Sequence, residues 1–171
     1  MKIILVGYMG SGKSIVAKEL SKIAQIPFVE LDDLIEKSHN KSIKKIFEQQ
    51  GELFFRKLEH QIFAELIESN DDLIISTGGG TPCYYNNHEL LLNTNCVSIY
   101  LSASIKTLFN RLQHQKQNRP LLAHLNDIEA QEFIAKHLFE RSFFYHQAKF
   151  KVVVDHKSVS EIVNEIRMLL A

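Results

Sequence analysis

The feature that most constrains the fold is a glycine-rich segment between a short apolar run and a helical pattern. Residues 7–14 read GYMGSGKS and match the template GxxxxGK[ST] at every fixed position. The preceding run, KIILV at residues 2–6, is typical of a parallel strand buried on both faces. Apolar residues then recur at helical spacing as far as Pro27. This succession of strand, glycine loop and helix predicts a phosphate-binding loop.

The Lys-Ser ending of the loop points to nucleotide binding. Glycines let backbone N–H groups face phosphate oxygens, and the following helix adds its positive N-terminal end. Lys13 would reach the β and γ phosphates, and the Ser14 hydroxyl is placed to coordinate Mg²⁺. A glycine turn that binds nothing is the alternative, but such a turn does not require this ending. We predict that ATP or GTP is bound by Gly10, Ser11, Gly12, Lys13, Ser14 and Ile15.

Four further apolar runs predict more strands of the same sheet. They lie at residues 27–31, 73–76, 97–101 and 151–154 and alternate with segments of helical periodicity. This alternation predicts an α/β fold of three layers, with helices on both faces of a five-stranded parallel sheet. Helical material at about residues 32–68 predicts a substrate-binding insertion, and the polar segment at about residues 113–127 predicts a mobile lid. Since no repeat or linker interrupts it, the chain 1–171 is expected to form one domain.

Composition excludes several classes of partner. Basic and acidic residues both number 20, so no net charge draws the chain to nucleic acid or to an anionic membrane. Neither cysteine, Cys83 or Cys96, lies in a CxxC pair, and the eight histidines lack metal-ligand spacing, so no structural zinc is expected. The N-terminal apolar run is too short for a signal peptide, which predicts a cytoplasmic protein. A monomer is expected by default.

Two acidic residues follow the second predicted strand. Glu30 and Asp32 are two apart, so in an extended chain both would point to the same side and face the nucleotide crevice. One carboxylate could take part in the coordination shell of Mg²⁺, and the other could bind a substrate hydroxyl. Helix capping is the alternative for Asp32 and the favoured role for Asp33.

A glycine triplet follows the third predicted strand, in STGGGTP at residues 76–82. Three consecutive glycines lose much chain entropy on folding, which indicates a backbone packed directly against a ligand, with a sharp turn as the alternative.

Arginines are harder to assign, because isolated ones are normally solvated. Arg119 stands before Pro120 in the predicted lid, whereas a surface ion pair with Glu52 or Glu59 is the alternative role for Arg56.

These segments together resemble the shikimate kinase family of P-loop small-molecule kinases along nearly the whole chain. The matching segments, in order, are GYMGSGKS, ELDDLIE, GELFFRKLE, STGGGTP, NRPLL and ERSFFY. The resemblance implies ATP- and Mg²⁺-dependent phosphorylation of the 3-hydroxyl of shikimate, a step of chorismate and aromatic amino acid biosynthesis. It implies ATP and shikimate as the small-molecule partners of the protein.

The resemblance also implies roles for particular residues. The substrate would be bound by Asp32, Arg56, Gly78, Gly79, Gly80 and Arg141. Phe47 and Phe55 would line the pocket, although a role in the core of the helices fits them equally well. The implied catalytic residues are Lys13, Asp32 and Arg119, with Arg119 carried in by the lid; Arg111 would pack on the adenine. The family's Asp-x-Asp stands here as Glu30, Leu31 and Asp32, which leaves the role of the first position open.

Two other functions compete with this one. A related kinase acting on gluconate or a nucleoside monophosphate would share the loop and the sheet, but the acceptor-binding segments argue against it. A nucleotide-dependent switch would need NKxD and DxxG segments, and neither occurs in the sequence.

Overall fold

The computed structural model describes residues 1–115 and 121–171. The strands are β1 (Lys2–Val6), β2 (Phe28–Glu30), β3 (Leu73–Ser76), β4 (Cys96–Ser102) and β5 (Phe150–Val153). The described helices are α1 (Lys13–Ala24), α2 (Leu31–His39), α3 (Ile43–Glu68), α4 (Asn87–Leu90), α5 (Ile105–Gln113), α6 (Asp127–Tyr145) and α7 (Val159–Leu170). A 3₁₀ turn covers Thr81–Cys83.

The five strands form one parallel sheet in the order β2-β3-β1-β4-β5. The predicted α/β fold with a five-stranded parallel sheet is therefore confirmed. From β1 the chain winds toward one edge of the sheet and from β4 toward the other. Right-handed crossovers in opposite directions place their helices on opposite faces, so α1 and α5 cover different sides. The carboxyl ends of the parallel strands β1, β2 and β3 lie at the same end of the sheet, which is where an open α/β sheet binds its ligands.

The core follows from the apolar pattern of these elements. Every residue of β1 is buried, as a central parallel strand covered on both faces requires. Helix α1 buries one stripe against the sheet, through Val16, Ala17 and Leu20, and leaves its other side in solvent. A rigid sheet thus holds the loops that follow its strands.

The structure corrects one local prediction. The run at residues 27–31 was predicted to be extended as far as Asp32, but β2 ends at Glu30 and α2 begins at Leu31. Asp32 therefore lies in the first helical turn, where acidic residues interact favourably with the helix dipole. It does not cap the helix, since Glu30 occupies the N-cap position.

The helical segment between β2 and β3 consists of α2 and α3. Within α3 the backbone leaves helical geometry at Gly51, where φ is 83° and ψ is 171°. The part of α3 after this kink carries Arg56 and Glu59, which contact the loop that follows β3. No helix of the described residues has the length and apolar character needed to span a membrane.

Candidate active site

The phosphate loop joins β1 to the first turn of α1. Helix α1 begins at Lys13, and its N-cap, Gly12, has no side chain to bond the first backbone N–H groups. Backbone N–H groups at a helix start are placed to donate to a ligand, and the helix dipole makes that position favourable for an anion. The loop therefore has the geometry of a phosphate site.

Lys13 lies along this loop. Its ammonium donates to the carbonyl oxygens of Gly7 at 2.8 Å and Tyr8 at 3.1 Å, and only 8 % of the residue is exposed. Arg111 braces the loop from α5, since its Nη1 donates to the carbonyls of Gly10 at 3.1 Å and Ser11 at 3.2 Å. The predicted contact of Arg111 with adenine stays a prediction.

A cleft of about 350 Å³ opens beside the loop. Its walls come from the segments that follow β1, β2 and β3, with further side chains from α5. The lining includes Gly10, Gly12, Lys13, Ser14, Ile15, Glu30, Asp32, Gly78, Gly79 and Arg111. Most of the residues predicted to bind nucleotide, and both predicted carboxylates, thus border one space.

Asp32 has a perturbed carboxyl group. Its pKa is raised to about 6, first by burial and then by the neighbouring Glu59 carboxylate, while Lys13 and Arg56 act in the opposite direction. The Asp32 side chain is nevertheless exposed at the mouth of the cleft, so solvent screens part of this effect. A carboxylate with this pKa is largely ionised at neutral pH yet basic enough to accept a proton.

The glycine triplet is packed against three charged side chains. Gly78 faces Asp32, Gly79 faces Arg141, and Gly80 faces Arg56. The closest approach is at Gly80, where an added Cβ would lie 2.8 Å from Arg56 Nη2. The triplet therefore brings together a carboxylate and two guanidinium groups that are far apart in the sequence. Contact of the glycines with a ligand stays a prediction.

Arg56 is held from several sides. Its Nη1 lies 3.0 Å from Glu59 Oε1, and its guanidinium lies over the Tyr84 ring at 4.0 Å. Thr81 donates its hydroxyl to the other Glu59 oxygen at 2.8 Å. The partners predicted for a surface ion pair are correct, but the Arg56–Glu59 pair is buried, with 12 % and 1 % of the side chains exposed. Such burial orients the guanidinium.

Arg141 reaches the triplet from α6. Its guanidinium lies 6.0 Å from the centre of the Tyr8 ring and close to the Gly79 backbone. Among the described residues no acidic side chain forms an ion pair with Arg141, whose guanidinium contacts the Tyr145 hydroxyl beside the Gly79 backbone. Two arginines that converge on one peptide suit a carboxylate ligand, because a guanidinium fork matches its two oxygens.

The other predicted residues are placed as follows. Phe47 and Phe55 pack with their ring centres 4.7 Å apart; Phe55 is buried in the core, and Phe47 is partly buried against it. Their contact with substrate stays a prediction. Arg119 and part of the predicted lid, residues 116–120, lie outside the described residues.

Sequence reasoning singled out neither Thr81 nor Tyr145. Thr81 hydrogen-bonds Glu59, and the Tyr145 hydroxyl donates to the Gly79 carbonyl at 2.6 Å. Tyr145 follows Arg141 by four residues on a helix, a spacing that places both on one face and could have identified it.

Oxygen ligands for a divalent cation are present at the cleft. Ser14 and Glu30 both border it, and Glu30 Oε1 is buried without a hydrogen-bond partner among the described residues. Hydroxyl, carboxylate and phosphate oxygens are the ligands that Mg²⁺ prefers. Ser14 and Glu30 therefore fit a divalent cation bound together with nucleotide phosphates.

Comparison with known proteins gives a consistent result. A family model described as shikimate kinase matches residues 9–171. A shikimate kinase from Flavobacterium johnsoniae is 58% identical over 99% of both chains. The crystal structure of a Bacteroides thetaiotaomicron shikimate kinase superposes with a TM-score of 0.90 at 35% identity, over 99% of this chain and 98% of that one. An Acinetobacter baumannii shikimate kinase solved in complex with shikimate gives a TM-score of 0.86 at 28% identity, over 99% and 92% of the two chains. This chain therefore belongs to the shikimate kinase family.

Proposed function

We propose that this protein is a shikimate kinase, which transfers the γ-phosphoryl group of ATP to the 3-hydroxyl of shikimate and releases shikimate 3-phosphate and ADP. The observation that carries the proposal is the convergence of Asp32, Arg56 and Arg141 on the glycine triplet beside the phosphate loop. This arrangement supports an acceptor that has both a carboxylate and a hydroxyl group. The reaction is a step of chorismate and aromatic amino acid biosynthesis.

The two arginines hold the carboxylate of the acceptor. Arg56 is fixed by its buried pair with Glu59, whereas Arg141 has no acidic partner among the described residues. A substrate carboxylate would supply the missing counter-charge for Arg141. Charge-assisted hydrogen bonds of this kind are about twice as strong as neutral ones, and they fix the orientation of the ring.

Asp32 then meets the reacting hydroxyl. It lies on the cleft between the glycine triplet and the phosphate loop, so a ring held by its carboxylate can present a hydroxyl to it. With a pKa of about 6, its ionised form orients the hydroxyl and accepts its proton as the phosphoryl group is transferred.

The nucleotide lies on the loop. The N–H groups at the start of α1 and the Lys13 ammonium neutralise charge on the phosphate oxygens. Ser14 and Glu30 would hold Mg²⁺, which when bound neutralises charge on the β and γ phosphates. Arg119, through its place in the predicted lid, would add charge to the transferred group.

The test is coupled ADP release by the purified protein with ATP and Mg²⁺. Shikimate, gluconate and AMP serve as parallel acceptors, and Lys13→Met, expected to abolish turnover, serves as the blank. Release with shikimate alone, with ³¹P NMR identifying the 3-phosphate, supports the proposal. Release only with gluconate or AMP would reassign the acceptor, and turnover by Lys13→Met would overturn the nucleotide site.

A second measurement addresses the arginines. Arg56→Ala should weaken shikimate binding by about 100-fold or more, because it removes a buried charged hydrogen bond. Arg167→Ala is the matched control, since Arg167 is exposed near the end of α7, far from the cleft. Equal affinities in the two variants would remove Arg56 from the site.

A further inference from the structure

Tyr145 is buried against the glycine triplet and has no role in the chemistry described above. Its side chain has no exposure, and its hydroxyl donates to the carbonyl oxygen of Gly79 at 2.6 Å across 66 residues of sequence. Its ring stacks on Tyr100, with centroids 5.2 Å apart. A buried hydroxyl with one short hydrogen bond to a loop carbonyl fixes the orientation of that peptide.

The peptide concerned joins Gly79 to Gly80 and lies between two guanidinium groups. Arg141 packs on Gly79, and Arg56 packs on Gly80. Glycine has no side chain with which to hold its own peptide plane, so an external contact is needed to orient it. Tyr145 supplies that contact from α6.

The orientation matters because a trans peptide directs its C=O and the next N–H to opposite sides. Tyr145 holds the Gly79 carbonyl toward the buried interior, which turns the N–H of Gly80 away from it. The same Tyr145 hydroxyl is hydrogen-bonded to the Arg141 side chain, so it links the Gly79 carbonyl to one of the two guanidinium groups. An anion bound by Arg56 and Arg141 would therefore meet a peptide and a guanidinium whose positions both depend on Tyr145.

We infer that Tyr145 is a positioning residue for the acceptor carboxylate, because it fixes the Gly79–Gly80 peptide between Arg56 and Arg141. The inference rests on the proposed function. Burial raises the pKa of the Tyr145 phenol above its ordinary range, which keeps the hydroxyl protonated and a donor at all working pH values.

Two phenylalanine variants test the inference, because each removes one hydroxyl from the same pair of stacked rings. Tyr145→Phe leaves the Gly79 carbonyl without its donor, whereas Tyr100→Phe removes a hydroxyl that lies near Ser102 and does not face the triplet. Tyr145→Phe should raise the KM for shikimate by about 5- to 20-fold and change the KM for ATP by less than about twofold. Tyr100→Phe should change both constants by less than about twofold.

An analogue in which CH₂OH replaces the carboxylate of shikimate separates positioning from general loosening. With it, the loss of kcat/KM in Tyr145→Phe should disappear, since the anion that uses the oriented peptide is gone. A loss of the same size with the analogue would overturn the inference. So would an unchanged KM for shikimate, equal losses for both substrates, or a Tyr145→Phe protein that no longer folds by thermal melting.

The wild-type protein distinguishes the two levels of proposal. No turnover of shikimate by the wild type would overturn the proposed function itself. If the wild type turns over shikimate normally and the Tyr145→Phe and Tyr100→Phe variants have the same KM values, only the role of Tyr145 would be overturned.

Discussion

The guanidinium of Arg56 and the carboxylate of Glu59 form a buried ion pair one helical turn apart on α3, 3.0 Å from Nη1 to Oε1. The second Glu59 oxygen accepts from Thr81, which follows the glycine triplet. The Arg56–Glu59 pair is thereby linked to the loop that follows β3. The orientation of Arg56 depends on Glu59 and on Thr81.

Replacing Glu59 by Gln should raise the KM for shikimate about tenfold and lower the free energy of unfolding by about 2 kcal/mol, because the buried charge of Arg56 loses its partner. Glu52→Gln is the control. The Glu52 carboxylate lies 3.6 Å from Arg56 Nε but is 54% exposed, so its loss should cost less than about 0.5 kcal/mol. Steady-state kinetics and urea unfolding measure both effects, and equal losses in the two variants would contradict the role given to burial.

The pKa of Asp32 predicts an acid limb in the rate. Its pKa is raised to about 6, first by burial and then by Glu59, and only the ionised form accepts a proton. At saturating ATP and Mg²⁺, kcat/KM for shikimate should fall about tenfold per pH unit below 6 and level off above it. Glu59→Gln should move this limb to lower pH, whereas Glu52→Gln should leave it in place. A rate that stays flat down to pH 5 would show that Asp32 is not the base.

Asp32→Asn should stabilise the protein at neutral pH. The folded pKa of about 6 lies above the value of about 4 in the unfolded chain, so the folded state holds its proton more tightly. The resulting destabilisation is absent below pH 4, grows between pH 4 and 6, and is complete above 6. Asparagine cannot ionise, so the variant lacks this destabilisation. Since Asp32 keeps solvent contact, the gain should be about 1 kcal/mol; urea unfolding at pH 7.5 and pH 4 measures it, and an equal gain at both would refute the cause.

Local patterns predicted the sheet and the phosphate loop well. The apolar run before Gly7 and the spacing of Lys13 and Ser14 are properties of neighbouring residues, and the structure places them as expected. The five parallel strands followed from the same kind of signal. Only strand ends differed, because the boundary between β2 and α2 is decided by tertiary packing.

Long-range contacts were harder to predict. The spacing of Glu59 and Arg56 predicted an ion pair, but burial of that pair depends on Thr81 and Tyr84, which the helical pattern does not contain. The contact of Tyr145 with Gly79 spans 66 residues, and its only local sign is the four-residue spacing of Tyr145 from Arg141. Asp32 faces the cleft as predicted, although from a helical turn and not from an extended strand.

Gly51→Ala should destabilise the protein through backbone strain alone. With φ 83° and ψ 171°, Gly51 occupies a region that is essentially restricted to glycine, while an added Cβ would meet nothing within 4 Å. The strain should lower the free energy of unfolding by about 1–3 kcal/mol. Leu53→Ala, on the same helix and with the residue 79% exposed, should cost less than about 0.5 kcal/mol. If both variants lose a similar free energy of unfolding in urea, α3 of Gly51→Ala must adopt regular helical geometry at residue 51 without an energetic cost.

Gly80→Ala should have the opposite effect to Gly51→Ala, because the added Cβ clashes with a side chain while the backbone remains unstrained. Gly80 has φ −93° and ψ −10°, which any residue adopts, but an added Cβ would lie 2.8 Å from Arg56 Nη2. The flexible end of Arg56 must therefore move while the fold persists. The KM for shikimate should rise about tenfold or more, with the free energy of unfolding changed by less than about 1 kcal/mol. In an Arg56→Ala background the same substitution should add less than about twofold, because the displaced group is absent. Additive effects in this double-mutant cycle would show that Gly80 acts independently of Arg56.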